Sequence, residues 1–248
     1  MGRDTAKKPS VRVLSYNIHH GVGEDGRLDL KRIADVIKQS EADIIALQEV
    51  DKHWSARSEY VDQAQQLAKW LHMEYVFAVN LERSPAEGRT ELRQYGVAVL
   101  SKYPIHASNH YALPSLAEDS ESRGLLEATI RVGDANINVY TVHLALTPEE
   151  RLLQNQTIVE IASKKIEPGI FMGDFNAAPQ TSEMRPMFEH YREAFEGKEK
   201  SYTFPVTNPC LQGDYIFYSK NVEVLSSEII VSEASDHLPP FAVLELNH

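Results

Sequence analysis

The sequence has little of several features that would place it in a specialised class of protein. It contains one cysteine, Cys210, which excludes an internal disulfide and would suit a reducing compartment. No apolar run approaches the roughly 20 residues that a membrane-spanning helix needs, and the first ten residues lack the apolar core of a signal peptide. We therefore expect a soluble protein without a transmembrane segment, either cytoplasmic or exported after removal of a signal.

Basic residues are also scarce. The chain has 25 Lys and Arg against 36 Asp and Glu, which gives a formal net charge of −11. Non-specific binding to nucleic acid draws most of its strength from contacts of Lys and Arg with phosphates. The acidic composition therefore disfavours a non-specific DNA-binding protein. Simple solubility explains the acidic balance equally well.

The chain offers no repeat, low-complexity segment or linker that would divide it. Its 248 residues suffice for one large α/β domain or two small ones. We predict a polar tail over residues 1–10 and a single domain over residues 11–248, present as a monomer.

Apolar periodicity predicts about ten strands and three or four helices. Leu30, Ile33, Ala34 and Ile37 share one helical face behind Asp29, a plausible N-cap. Further helices are predicted over 58–71, from a capping box at 147–150 to about 165, and briefly within 179–190. The predicted strands cover 11–18, 43–50, 74–79, 95–101, 105–111, 125–132, 137–144, 169–173, 212–218, 222–231 and 241–246.

This arrangement has too many strands for one doubly wound sheet. Short turns join many neighbours, so antiparallel pairing should dominate. The layer rules then favour an α/β fold in which two mixed sheets of about five strands pack together and the helices lie outside.

The segment Gly173-Asp174-Phe175-Asn176 directly follows a short apolar strand. Alternate residues of an extended chain point the same way, so Asp174 and Asn176 can enter one pocket. A carboxylate can hold or deprotonate a water, and an amide beside it can donate to a developing oxyanion. The segment is therefore half of a hydrolytic site.

Other polar residues recur at the ends of predicted strands: Asn17, Glu49, His143, Asp214, Asp236 and His237. Each has an ordinary explanation alone, as a turn cap, a surface carboxylate or a hydrogen-bonded core histidine. A buried strand end is nevertheless a costly place for charges unless they are paired or bind a metal. Their recurrence indicates a shared site.

Seven motifs occur in an order that is specific to one family: Ser15-Tyr16-Asn17-Ile18, Leu47-Gln48-Glu49-Val50, Tyr95 to Ser101, Val142-His143-Leu144, Gly173 to Asn176, Asp214-Tyr215-Ile216-Phe217 and Ser235 to Pro239. The chain resembles the endonuclease/exonuclease/phosphatase superfamily from about residue 11 to residue 246. That superfamily includes pancreatic-type DNases, neutral sphingomyelinases and inositol polyphosphate 5-phosphatases. The resemblance implies a four-layer α/β/β/α sandwich, in agreement with the layer argument, and one catalytic domain over 11–248.

The resemblance also implies a metal site. Glu49 would be the principal ligand of a divalent cation, with Asn17 beside it and Asp236 completing the shell. Hard oxygen ligands favour Mg²⁺ or Mn²⁺.

Catalytic roles are implied for five further residues. Asp174 would orient or deprotonate the attacking water, and Asn176 would stabilise the charge that develops on phosphorus. His143, together with a His237 oriented by Asp214, would contact phosphate oxygens or shuttle protons.

Softer matches resemble a bacterial hydrolase subgroup. They include Asn17 to Gly21, Arg57-Ser58 and Thr203-Phe204-Pro205. His20 and Arg57 would face substrate there, the alternative being loop and helix-cap structure. Val97 departs from relatives that carry Asn, so no substrate contact is carried over to that position.

The function expected from the sequence is hydrolysis of a phosphodiester or phosphomonoester with Mg²⁺ or Mn²⁺. The acidic balance favours a small molecule or lipid headgroup as substrate over nucleic acid. A DNA endonuclease or exonuclease of the same superfamily is the alternative, and a non-catalytic binding module on this fold is a remote one.

Overall fold

The fold contains twelve strands and four α-helices within residues 8–117, 120–198 and 201–247, the part of the chain that the computed structural model describes. Of the predicted tail, residues 1–7 lie outside this part, and Ser10 already belongs to a strand. The strands are β1 (Ser10–Asn17), β2 (Ile44–Lys52), β3 (Glu74–Arg83), β4 (Arg93–Ser101), β5 (Ile105–Ala112), β6 (Gly124–Val132), β7 (Ala135–His143), β8 (Gly169–Asp174), β9 (Arg192–Glu193), β10 (Asp214–Tyr218), β11 (Val222–Ile229) and β12 (Pro240–Leu246). The helices are α1 (Leu30–Ser40), α2 (Gln63–Leu71), α3 (Pro148–Ala162) and α4 (Arg185–His190).

The strands form two six-stranded mixed sheets. The first has the order β11-β12-β1-β2-β4-β3, and the second β5-β6-β7-β8-β10-β9. A central parallel pair lies in each sheet, β1 with β2 and β7 with β8, and all other pairings are antiparallel. The prediction of two mixed, mostly antiparallel sheets is confirmed.

Three apolar layers hold the sandwich together. Residues such as Val13, Val99 and Met172 form the layer between the sheets. A second layer buries α1 and α2 against the first sheet, and a third buries α3 and α4 against the second. This arrangement confirms the predicted four-layer α/β/β/α sandwich.

The topology brings particular strand ends to one edge of the sandwich. β1 and β7 end there, at Asn17 and His143. Asp214 opens β10 directly opposite Asp174, the last residue of β8, because these two strands are antiparallel. The edge therefore collects the polar residues that the sequence placed at strand ends.

One predicted helix start and one predicted helix cap differ from the structure. The helix predicted from Ser58 begins at Gln63, because Glu59 and Tyr60 have φ angles of 53° and 57° that no α-helix accommodates. α3 begins at Pro148 as predicted, but the capping box is wrong. The hydroxyl of Thr147 donates to Glu150, whose other carboxylate oxygen accepts from the amide of Leu116 instead of capping the helix.

The remaining differences are of length. β3 continues to Arg83, beyond the predicted end at residue 79, since it pairs with β4 as far as Arg93. The β6–β7 turn is only two residues long, because Val132 still pairs with Ala135. No helix in the described residues is long and apolar enough to cross a membrane.

Candidate active site

Glu49 is brought to the site edge by an irregularity in β2. The pairing of β2 with β4 changes register between Leu47 and Val50, and Glu49 has a φ of 56°. The preceding Gln48 is buried and donates to the hydroxyl of Thr141 at 3.0 Å, across to the second sheet. A bulge of this kind re-aims a side chain and stores backbone strain, both common beside functional sites.

Asn17 joins the two sheets at this edge. Its Nδ2 donates to Oε1 of Glu49 at 3.1 Å and to Oδ2 of Asp174 at 3.1 Å. Its Oδ1 accepts from the backbone amide of His19 at 3.1 Å, which fixes the orientation of the side-chain amide. One buried side chain therefore sets the spacing between the two carboxylates that the sequence assigned to different roles.

Asp174 is almost completely enclosed, with 2% of its surface exposed. Burial, reinforced by the nearby charge of Asp214, raises the pKa of Asp174 to about 7. Its Oδ1 accepts from the backbone amide of Asn176 at 2.9 Å. Its Oδ2 faces the Nε2 atoms of His143 at 3.6 Å and His237 at 3.8 Å. This carboxyl can exchange a proton near neutral pH.

The two histidines beside Asp174 differ in charge. Burial alone would lower the pKa of His237, but the charge and the 2.8 Å hydrogen bond of Asp214 outweigh it and raise the pKa to about 10. Burial lowers the pKa of His143 well below its ordinary value, and the cation of Arg123 adds to the effect. The site thus holds an imidazolium and a neutral imidazole side by side.

Asn176 has a positive φ of 51°, in the left-handed region. Its side-chain Nδ2 donates to the carbonyl of Leu144 at 2.9 Å. The sequence analysis predicts that this amide stabilises a developing oxyanion. In the present geometry one of its hydrogens holds the loop that follows His143, so the role toward substrate stays a prediction.

Glu49 also belongs to a group of side chains that could hold a metal ion. Its ligand atoms and those of His19 and His20 lie within 4.8 Å of one another. Burial raises the pKa of Glu49, and the charge of Asp236 adds to this. The Nδ1 atoms of both histidines are buried without a hydrogen-bond partner in the described residues. A bound divalent cation would satisfy these atoms and relieve the buried carboxylate, so the residues fit one.

The predicted ligands occupy different places around this group. Asn17 presents its amide hydrogens to Glu49, and Asp236 lies 3.8 Å from Nδ1 of His19. His19 was not among the predicted ligands, although it stands two residues after Asn17 in the sequence.

Asp174, Asp214 and His237 form a second group with ligand atoms within 4.8 Å. The imidazolium of His237 already supplies a positive charge between these two carboxylates. A cation is therefore better accommodated at Glu49, where no fixed positive charge is hydrogen-bonded to the carboxylate.

The two predicted substrate residues lie beside Glu49. His20 Nδ1 is 4.0 Å from Oε2 of Glu49, and burial together with the charge of Arg57 lowers its pKa to about 3. Arg57 makes a two-pronged ion pair with the buried Asp51, at 2.9 and 2.7 Å, and lies over the ring of Trp54. Arg57 is therefore held rigidly by its own protein, with its side chain still partly exposed.

Arg123 is a site residue that the sequence analysis missed. It is 7% exposed, and its Nε has no hydrogen-bond partner among the described residues. Its Nη1 lies 2.9 Å from Oε1 of Glu121. Arg123 directly precedes β6, which runs antiparallel to β7 and so begins at the site edge. Its place next to the first residue of β6 is the signal in the sequence that could have identified it.

A cleft of about 220 Å³ opens onto these groups. Asp174, Asn176, Phe204, Gly213 and His237 are among the residues that line it. The cleft is small, and a phosphoester could reach the carboxylate of Asp174 through it.

Comparison with known proteins identifies relatives of the whole chain. The uncharacterized protein YbhP of Escherichia coli K12 is 29% identical over 266 aligned residues, which cover 98% of this chain and 99% of that protein. An endonuclease/exonuclease/phosphatase family protein of Bacteroides thetaiotaomicron has a similar structure, with a TM-score of 0.80, 16% identity and coverage of 98% and 100%. The mannosyl-6-phosphatase Bt3783 of the same species has a TM-score of 0.76, 16% identity and coverage of 94% and 99%. The sequence model of the Endonuclease/Exonuclease/phosphatase family matches residues 14–237, and the chain belongs to that family.

Proposed function

We propose that this protein is a divalent-metal-dependent phosphoesterase that hydrolyses a small or lipid-like phosphodiester or phosphomonoester by attack of an activated water. The observation that carries the proposal is the placement of Asp174. Its Oδ2 lies within 3.8 Å of three groups: the amide of Asn17, the neutral His143 and the cationic His237. A carboxylate held in this way, with a pKa of about 7, is suited to general base catalysis.

The metal would lie at Glu49, with His19, His20 and Asp236 close to it. When bound, a divalent cation supplies positive charge to non-bridging or leaving oxygens of a phosphate. Family membership and the carboxylate oxygens of Glu49 and Asp236 support Mg²⁺ or Mn²⁺.

The proton transfers can be assigned to residues of the chain. Asp174 accepts a proton from the attacking water as the new P–O bond forms. His237 donates the proton on Nε2 to the oxygen of the departing alcohol as the old P–O bond breaks. After the products leave, Asp174 gives its proton to a water and His237 takes a proton from a water, which restores both groups.

The buried Asp214 stabilises the imidazolium form of His237 from the other side of the ring. Asn176 and the cation of Arg123 would stabilise the negative charge that develops on the phosphate oxygens.

A small substrate is supported by three observations. The net charge of −11 disfavours a polyanion, and the cleft at Asp174 is only about 220 Å³. One structural neighbour is by name a sugar phosphatase, although likeness at this identity concerns the fold alone.

The proposal is tested by turnover of bis-para-nitrophenyl phosphate and para-nitrophenyl phosphate with Mg²⁺ or Mn²⁺. Asp174→Asn should lose about 10²- to 10⁴-fold in kcat on these esters, the range typical of general acid–base groups. His237→Ala should lose as much on an alkyl phosphodiester, whose leaving alkoxide needs a proton that para-nitrophenolate does not. The matched control is Asp134→Asn, which changes a fully exposed aspartate in the β6–β7 turn. Full activity in both site variants would contradict the catalytic roles of Asp174 and His237. Cleavage of duplex DNA with a steep salt dependence would favour the nuclease alternative.

A further inference from the structure

Glu49 occupies an extra place in β2. Leu47 and Val50 both belong to the apolar layer under α1 and α2, although residues three apart in a regular strand point to opposite sides. The pairing with β4 explains this, because Gln48 and Glu49 together lie opposite the single residue Val97. Two residues facing one form a β-bulge. In a regular strand Glu49 would point into the same layer as Leu47, so the bulge is what brings its carboxylate to the site edge.

The backbone of Glu49 needs support from its neighbours. Its φ of 56° lies in the left-handed region, which a residue with a side chain adopts at a cost in free energy. On one side Val50 anchors the chain, because it is fully buried against the helices. On the other side the anchor is Gln48, which is also fully buried but polar. The contacts of Gln48 therefore fix where the carboxylate of Glu49 lies.

Gln48 makes contacts with three strand segments. Its backbone carbonyl accepts from the amide of Ile18, just after β1, at 3.1 Å. Its Oε1 lies 3.5 Å from the hydroxyl of Ser15 on β1. Its Nε2 donates at 3.0 Å to the hydroxyl of Thr141, a fully buried residue on β7 of the second sheet. One side chain thus ties β2 to β7 across the sandwich, at the residue that precedes Glu49.

This link lies in the layer between the sheets, which Val97, Val139 and Met172 help to form. A buried amide–hydroxyl pair adds little net stability there, because both groups give up their bonds to water. A hydrogen bond is directional, however, and fixes the separation of two strands more narrowly than apolar contact does. The contribution of the Gln48–Thr141 bond is therefore to geometry more than to stability.

We infer that Gln48 is a positioning residue, which acts with Thr141 to hold the carboxylate of Glu49 in place for a divalent cation. The inference rests on the proposed function, because it concerns the metal that Glu49 would bind. Residues that orient metal ligands without touching the metal typically account for about 10- to 100-fold in affinity.

Mn²⁺ alone is the probe that tests this role. The electron paramagnetic resonance signal of the free ion measures its binding to the full chain without any substrate. Gln48→Met and Thr141→Val each remove one partner of the hydrogen bond at nearly constant volume. We expect each to raise the Kd for Mn²⁺ about 10-fold or more, and the double variant to raise it no further, because both changes break the same bond. Thr141→Ser keeps the hydroxyl and should bind as the unmodified chain does.

The matched control is Thr129→Val. The hydroxyl of Thr129 donates at 2.9 Å to the side-chain oxygen of Asn138, near the start of β7 and away from the end that carries the site. This variant should leave the Kd for Mn²⁺ unchanged. A purely structural role of Gln48 would lower the melting temperature in metal-free buffer and leave the Kd of the folded chain as it was. An unchanged Kd in Thr141→Val, or additive losses in the double variant, would overturn the inference.

Turnover of bis-para-nitrophenyl phosphate separates the inference from the proposed function. Weaker Mn²⁺ binding by Gln48→Met and Thr141→Val, in a chain that hydrolyses no phosphoester, would support the inference and contradict the proposed function. Turnover that depends on Mn²⁺, with the same Kd in all variants, would support the proposed function and overturn the inference.

Discussion

His237 and Asp214 form a buried pair in which Nδ1 and Oδ2 lie 2.8 Å apart. The opposite nitrogen of the same ring faces Asp174 at 3.8 Å. One imidazolium therefore balances two carboxylates that would otherwise repel each other in a poorly hydrated site. This balance explains how β8 and β10 can place Asp174 and Asp214 directly opposite each other without breaking the sheet.

Replacing Asp214 by asparagine should remove the charge that keeps His237 protonated. The amide is nearly the same size, so the fold should persist while the leaving alcohol loses its proton donor. We expect kcat on an alkyl phosphodiester, whose alkoxide needs a proton as it leaves, to fall about 10²-fold or more, with little change in KM. A variant with unchanged kcat and a lowered melting temperature would show that the pair is structural only.

Much of this site could be predicted because strand periodicity marks where each strand ends. Asn17, His143 and Asp174 were predicted from that pattern alone, and the layer argument gave the two sheets that bring them together. The order of motifs along the chain then supplied the family.

Other features depend on information that a local pattern does not carry. The approach of Arg123 to His143 depends on the antiparallel pairing of β6 with β7. The late start of α2 depends on the left-handed conformation of Glu59 and Tyr60. A glycine in the sequence would indicate a positive φ, but these residue types do not. The capping box at Thr147 matched the residue types of the motif, but Glu150 satisfies a neighbouring loop instead.

Arg123 should act on phosphate binding. Its side chain is buried next to His143 with Nε unpartnered, so a phosphate oxygen would gain a charge-assisted hydrogen bond there. Arg123→Met keeps most of the volume and should lower kcat/KM about 10- to 100-fold. The same substitution at Arg131, a half-exposed residue of the same strand, is the control and should have no effect on turnover. Equal kinetics in the two variants would leave Arg123 with a packing role.

Glu49→Gln should have opposite effects on stability with and without metal. Burial and the charge of Asp236 disfavour the ionised form of Glu49, so the neutral amide should melt at a higher temperature in metal-free buffer. Addition of Mg²⁺ or Mn²⁺ should stabilise the unmodified chain by mass action and the variant far less. Scanning calorimetry of both proteins, with and without metal, measures this reversal in the order of melting temperatures. Glu24→Gln, at an exposed position, is the control. Equal stabilisation of all three by metal would place the cation elsewhere.

Glu193 should make the stability of the protein depend on pH. Burial, with a contribution from Glu196 that Lys198 partly offsets, raises the pKa of Glu193 to about 7 in the folded chain. The unfolded chain has an ordinary pKa of about 4.3 and therefore loses its proton first as the pH rises. The stability that Glu193 confers is thus fully present below about pH 4.3 and is lost as the pH rises to about 7, with a slope of up to about 1.4 kcal/mol per pH unit.

Glu193→Gln should abolish this loss, because the amide does not ionise and its oxygen can still accept from the amide of Phe195. Urea unfolding at about pH 5 and about pH 8 measures the slope. The variant should be the more stable protein at the higher pH, and the two should converge at the lower one. Glu228→Gln, exposed on β11, should follow the unmodified chain at both values. Parallel curves for Glu193→Gln and the unmodified chain would mean that Glu193 titrates normally in the folded chain.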